Sequence, residues 1–379
     1  MSQMNAVRFQ ALDVFRGMTV CFMIIVNTPG DWSVTFSPLL HASWHGFTPT
    51  DLVFPSFLFA VGNAMAFVAA RWPAMSQAAV LAVLKKIAKR TILIFLLGYL
   101  MYWFPFVKHE GGQLIAAPFG DTRVFGVLQR IALCYGMAAL LFYYLKPRTV
   151  YILAAAGLLL YWGLLYWLAP AGADALNLQG NAVLRVDKWL IGESHMYKGE
   201  GIPFDPEGLL STLPALANTV AGFAAGRYIQ QQGKSYEGLA RLLLWGFLLL
   251  CLAYAWNLVF PINKKLWTSS FVLHTVGLDL LVLASIMYII DFKGINRWAG
   301  FFEVFGKNPL FIYLLSELIA ILLWFFQRPD GTPYYSWLYK AVFEPAGPYI
   351  GSLLFALAVM MSCWLCGYVM DKRRWYVRV

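Results

Sequence analysis

The chain has 379 residues, of which 60% are hydrophobic and only 13% charged, and its formal net charge is +10. Soluble domains are about a quarter charged, so this composition excludes an ordinary soluble fold. The apolar residues fall in blocks near the roughly 20 residues that a helix needs to cross a bilayer, and the basic surplus follows the loops between them, which argues against nucleic acid as the reason for it.

Ten spans are predicted in chain order, at 12–28, 52–70, 91–106, 124–145, 151–168, 209–228, 242–260, 266–290, 309–326 and 349–370. Backbone groups in lipid must be paired within a segment, and barrel strands would be shorter and alternating, so these blocks read as helices. The third is short; 80–90 would lie at the interface or lengthen it. A further interfacial helix is expected at 299–305, stopping at Gly306. The fold class is therefore an all-α polytopic membrane bundle, with residues 1–379 as one transmembrane domain.

Lys and Arg set the direction. With the N-terminus in the cytoplasm, 19 of the 29 basic residues fall on the inner side and 9 on the outer, with Arg130 inside a span. This gives N-in and C-in. The inner set includes Arg8, Arg16, Arg71, Arg297, Lys307 and Arg378; the outer set includes Arg123, Lys264 and Lys265. The longest loop, 169–208, lies outside, and its D-K-W-L-I-G-E-S-H-M-Y run fits a short amphipathic helix. No cleavable leader is expected, because the first apolar block already carries Asp13 and Arg16. The five cysteines all lie in apolar blocks, so no disulfide framework is expected, and Cys363 and Cys366 read as small helix residues one turn apart.

Polar groups at the ends of spans are the candidates for chemistry, because polar groups in a membrane are costly unless used or paired. Asp13 and Arg16 share one helix face, either as an ion pair that fixes helix depth or with Arg16 free to bind an anion. Asn27 closes the first span. His41 opens an outer loop, and its imidazole suits proton exchange near neutral pH; Trp44, Phe47 and Pro49 make the loop apolar enough to fold back on the bundle. His45 competes for the same role. Thr48-Pro49-Thr50-Asp51 fits a helix start, with Thr48 as cap and Asp51 in the first turn; Asp51 as a substrate contact is the alternative. Asp205-Pro206-Glu207 resembles a second helix start, and Lys264 sits in an outer turn. Arg130, His274, Asp279 and Glu317 lie deep and should face a partner or a wet cavity; structural pairing, for example of Arg130 with Asp279 or Glu317, and a ligand role are the two readings. Gly306-Lys307-Asn308-Pro309 breaks a helix on the inner side, where freed amides and the lysine suit a phosphate. There is no Walker A, GxGxxG, HExxH or GxSxG motif, and no metal site is expected.

Several ordered segments carry a resemblance: R-F-Q-A-L-D-V-F-R-G (8–17), V-N (26–27), H-A-S-W-H-G-F-T-P-T-D-L-V-F-P (41–55), R-V-F-G-V-L-Q-R (123–130), F-D-P-E-G-L-L-S-T (204–212), P-I-N-K-K-L-W-T-S-S-F (261–271) and G-K-N-P-L-F-I-Y (306–313). They cover most of the chain, which resembles heparan-α-glucosaminide N-acetyltransferase and its bacterial relatives. The resemblance implies a multispanning enzyme that uses cytoplasmic acetyl-CoA to acetylate the amine of a terminal glucosamine on the far side. It makes His41, which opens H-A-S-W, the active-site histidine, and Asn27 the functional asparagine. The chain departs from the animal enzyme in lacking the large region before the membrane domain and in having His45 where the animal sequence has asparagine. Arg16, ten residues and Asn27 also echo the arginine and histidine of the membrane O-acyltransferases, with the histidine replaced.

The sequence thus points to transfer of an acetyl group from acetyl-CoA to glucosamine or a small amino sugar. His41 and Asn27 would be catalytic; Arg16, Arg297, Lys307 and Asn308 would hold acetyl-CoA; Asp51, Glu207 and Lys264 would hold the acceptor. Its expected partners are acetyl-CoA, the amino sugar and the lipid bilayer of a bacterial inner membrane, with a homodimer as an assembly the chain could form. An amino-sugar transporter and an O-acetyltransferase of cell-envelope glycans are the competing readings.

Overall fold

The structure, a computed structural model, describes residues 9–70, 72 and 77–377. Arg8, Arg71 and Arg378, which the sequence assigns to the inner side, lie outside these residues. The α-helices run in order as α1 (Gln10–Asn27), α2 (Pro49–Ala69), α3 (Gln77–Trp103), α4 (Val127–Tyr144), α5 (Pro147–Trp167), α6 (Ala182–Ile191), α7 (Thr212–Gln232), α8 (Tyr236–Asn257), α9 (Ser269–Met287), α10 (Ala299–Lys307), α11 (Pro309–Phe325), α12 (Tyr334–Leu338) and α13 (Pro348–Lys372).

All ten expected spans are helical. Among the described residues, seven helices are each long and apolar enough to cross a membrane, and the bent pair α10–α11 would make an eighth span. The chain is a multi-pass membrane protein. Of the two alternatives for 80–90, the structure has the segment lengthening the third span: α3 is continuous over 27 residues. The 299–305 segment is helical as expected, and α10 meets α11 at an angle of 85° across Asn308. Pro309, at the first position of α11, has no N–H to continue the preceding ladder.

The outer loops hold two further elements. The amphipathic α6 starts where the Asn181 side chain accepts from Leu184 N at 2.7 Å, and stops at Gly192, whose φ is 83°. An antiparallel hairpin pairs β1 (Val107–Glu110) with β2 (Gln113–Ala116) through Gly111 and Gly112, both at positive φ. The sequence reading has no hairpin there. Its signal is only the Gly-Gly pair, which suits a tight turn between short strands.

The core is a helix stack centred on α1, α2, α7 and α9. Within lipid there is no hydrophobic drive between helices, so close backbone approach supplies the packing. At the α2–α7 crossing, a Cβ on Gly62 would lie 1.9 Å from the Thr219 carbonyl oxygen, and one on Gly222 would lie 1.9 Å from that of Phe59. At the α1–α10 crossing, a Cβ on Gly17 would lie 1.9 Å from the Phe302 oxygen. These crossings bring α1, α2 and α7 together under the outer loops.

The packing predicts substitutions of opposite sign. Gly222→Val should destabilise by about 1–3 kcal/mol or more, since it overpacks a backbone contact. Gly163→Ala, on an open face of α5 with nothing within 4 Å, should stabilise by about 0.5–1 kcal/mol by removing backbone freedom from the unfolded chain. Thermal melting in detergent checks both.

Candidate active site

The loop between α1 and α2 is fixed by one carboxylate. Thr48 caps α2, Pro49 takes the first helical position and Asp51 the third, as the helix-start reading requires. Asp51 Oδ2 accepts from Thr48 N at 2.9 Å and from Ala42 N at 3.2 Å. Its other oxygen, Oδ1, lies 2.7 Å from His41 Nδ1. Asp51 is 1% exposed, so the helix start and the histidine share a buried anion, and no oxygen of it is turned to an acceptor. The two sequence alternatives, cap or substrate contact, leave this arrangement out.

The partners also assign the tautomer. Nδ1–H donates to Asp51, which leaves the lone pair on Nε2. Lys264 Nζ lies 3.3 Å from Nε2. The His41 side chain is 41% exposed, and that surface opens onto a cavity of about 210 Å³ that is also lined by Asn27, Arg123, Glu207, Lys264 and Lys265. Burial, and then the Lys264 ammonium, hold the His41 pKa below its ordinary 6.5, against the raising pull of Asp51. Both effects favour the neutral imidazole. Burial likewise lowers Lys264, opposed by Glu207 and Asp51.

The loop is pinned from outside. Trp44 Nε1 donates to Leu176 O at 2.7 Å, Gly46 N to Ile262 O at 2.8 Å, and Lys265 Nζ to Ser43 O at 2.9 Å. His45 sits 3.3 Å from the Asn263 amide and edge-on to Trp44, away from the residues that line the cavity. Asn27 Nδ2 donates to Glu317 Oε1 at 3.4 Å.

Arg123 was not singled out as a site residue by sequence, although it opens one of the recurring segments. It is bound by two carboxylates, at 2.6 Å to Asp205 and 2.8 Å to Glu207, and its Nη1 donates to the Tyr102 hydroxyl at 3.3 Å. Tyr102 and Tyr197 stack on its guanidinium. Glu207 and Arg123 thus line the cavity as a bonded pair.

A second cavity, of about 360 Å³, lies at the other end of the same helices and is lined by Arg16, Arg90, Tyr135, Lys307 and Val377. Arg16 pairs with Asp13 at 3.0 Å. Lys307 pairs with Asp371 at 2.8 Å. Arg90, stacked over Tyr135 at 4.6 Å, was not singled out as a site residue by sequence; it ends a basic run with Lys85, Lys86 and Lys89, which reads only as a topology signal. Arg297 is exposed and is not among the lining residues. Asn308 is buried, with its side chain bound to Trp375 O and Val377 N at 2.9 Å each, so it anchors the C-terminal segment. Between the two cavities lies a chamber of about 50 Å³ lined by Tyr102, Leu128, Gln129 and Glu317. Leu128 also lines the inner cavity, and Glu317 bonds Asn27 of the outer one.

Arg130 pairs with neither Asp279 nor Glu317, a correction to the sequence expectation. It donates to Gly208 O at 3.0 Å, contacts Ser211 and stacks on Trp267, all at the start of α7 and α9. Asp279 instead contacts Ser56.

Fold and site together define a polytopic helical membrane protein with two polar cavities, a carboxylate-held histidine on the outer one and a cluster of cations on the inner. The chain is similar to the heparan-alpha-glucosaminide N-acetyltransferases. Residues 8–190 match the family described as "Heparan-alpha-glucosaminide N-acetyltransferase, catalytic", a stretch that holds Arg16, Asn27, His41, Asp51 and Arg123. The human enzyme of that name is 26% identical over 363 residues, covering 82% of this chain and 53% of its own length. The mouse enzyme is 26% identical over 367 residues, covering 83% and 54%. The chain spans about half the length of these curated relatives.

The geometry predicts how His41 titrates. Histidine-selective isotope labelling with NMR, assigned through His41→Gln, should place its pKa under 6.5. Lys264→Met removes a charge that opposes the imidazolium and should raise that pKa; Asp51→Asn removes one that favours it and should lower it.

Proposed function

We propose that the protein is a membrane N-acetyltransferase that moves the acetyl group of acetyl-CoA to the amine of glucosamine or a small amino sugar in the outer cavity. The observation that carries this is the Asp51–His41 pair, with Nε2 facing a cavity that Asn27 shares. The relatives' printed activity supports the reaction type.

The inner cavity suits the donor. Arg16, Arg90 and Lys307 would meet the phosphates of a polyanion arriving from the cytoplasm, the side with the basic surplus. The donor's thioester arm would run past Leu128 and the small chamber to the outer cavity. There, the acceptor amine attacks the thioester carbonyl as His41 Nε2 takes its proton, which forms the C–N bond. The Asn27 amide donates to the oxyanion, a contribution of about 2.7–4 kcal/mol. The C–S bond then breaks, and the imidazolium returns the proton to the departing thiolate. Asp51 keeps Nδ1–H engaged throughout, which fixes the base at Nε2 and stabilises the imidazolium. To let the amine in, Lys264 must release Nε2; its ammonium then lies beside the acceptor, and Glu207 and Arg123 offer hydrogen bonds to sugar hydroxyls.

The test is purified protein with acetyl-CoA and glucosamine, followed by free thiol release and product mass. An amide product is expected; an ester, or no thiol release, overturns the reading. His41→Ala should lower kcat by about 10²–10⁴-fold, the usual contribution of a positioned base. Asp51→Asn should fall in the same range, because it leaves the histidine in place with its tautomer unfixed. His45→Ala should retain activity.

The inner cavity is tested separately. Arg90→Ala should raise KM for acetyl-CoA by about 10–100-fold, the worth of one hydrogen bond to a charged group, with KM for glucosamine unchanged. An effect confined to glucosamine would place the donor elsewhere.

A further inference from the structure

A third cavity, of about 300 Å³, borders the outer one. It lies among α1, α2 and α9, and its walls are almost wholly hydrocarbon: Met18 and Phe22 of α1, Leu52 of α2 and Val282 of α9. Phe22 is 45% exposed on a helix that crosses the membrane, so the cavity sits beside lipid rather than water. Val26, Thr50 and Val53 line both this cavity and the one that holds His41. The two share a wall.

The shape is that of a tall slot. It extends along α1 from Val26 down to Phe15, roughly 16 Å at 1.5 Å per residue. Pro38, Leu39 and Pro49 of the outer loop form its upper rim. Asp279, whose Oδ2 has no partner among the described residues, and Ser56 form a polar end within the bundle. A hydrocarbon chain would lie parallel to the bilayer lipids, with its head at the rim next to His41.

We propose that the slot receives the hydrocarbon chain of the acceptor, so that the natural substrate class is an amphipathic, lipid-linked amino sugar rather than a free one. This rests on the transferase reading above and names its acceptor. Shared walls tie the slot to the catalytic cavity, and its rim is on the outer side, opposite the cations that suit the donor. A chain entering from lipid leaves the amine at His41 without crossing the loop that Trp44 and Lys265 hold shut.

The experiment compares glucosamine with octyl β-glucosaminide, using acetyl-CoA and the full chain. Each methylene that enters the slot should lower KM by up to about fourfold, so the octyl acceptor should have a KM at least about tenfold below that of glucosamine. Val282→Phe and Met18→Trp fill the slot and should each cancel that advantage while kcat/KM for glucosamine stays within about twofold. Micelle partitioning is common to wild type and variants and drops out of the comparison. A diazirine-bearing octyl glucosaminide should label peptides containing Met18 or Val282, a readout that needs no turnover. Equal KM values in the wild type, equal loss of both acceptors in both variants, or labelling elsewhere would each overturn the slot. So would variants that impair butyryl-CoA but spare the octyl acceptor, since the slot would then hold the donor's acyl chain. Labelling at the slot without any acetylation would sink the transferase reading and leave the slot standing.

Discussion

The buried carboxylate of Asp51 is the point on which the outer half of the molecule turns. An ion removed from water costs several kcal/mol unless its lone pairs are filled. Here the backbone amides of Ala42 and Thr48 and the ring of His41 fill them. The same bonds start α2, close the loop from α1 and fix which imidazole nitrogen faces the cavity. None of the three can be altered without uncovering a charge at 1% exposure. Removing one partner of such a group generally costs more than the interaction itself contributes, which explains how a short loop between membrane helices keeps a reactive side chain in one orientation.

The spans were legible because lipid imposes a simple rule: apolar blocks of sufficient length must be helices. The helix start at Thr48 was legible too, since cap, proline and carboxylate stand in fixed order. Asp51 as the partner of His41 was not. Ten residues and a turn separate them, and nothing in the pattern says that the loop doubles back. Arg123 was hidden for a similar reason. Its two carboxylates, Asp205 and Glu207, lie some eighty positions away, and only the packing of α3, α4 and α7 brings them together. Lys307 shows the reverse case. Its motif stands out in sequence, yet Asp371, a residue with no motif, already neutralises part of its charge.

The arrangement divides labour along the bilayer normal. Arg16, Arg90 and Lys307 gather at one end and the Asp51-held His41 at the other, with a small chamber between them. Burial and Lys264 both lower the proton affinity of His41, against the pull of Asp51. The chamber mixes Tyr102, Gln129, Tyr313 and Glu317 with the apolar Met101, Leu128 and Ile321.

The 85° break at Asn308 has a consequence for the end of the chain. Asn308 holds both Trp375 and Val377, and Val377 is a wall of the inner cavity. The C-terminal segment is therefore masonry and not a tether. Shortening the chain before Trp375 would unroof the inner cavity and strip two hydrogen bonds from a side chain that is 1% exposed, so a trim that looks harmless on a hydropathy plot would be felt at Arg16, Arg90 and Lys307.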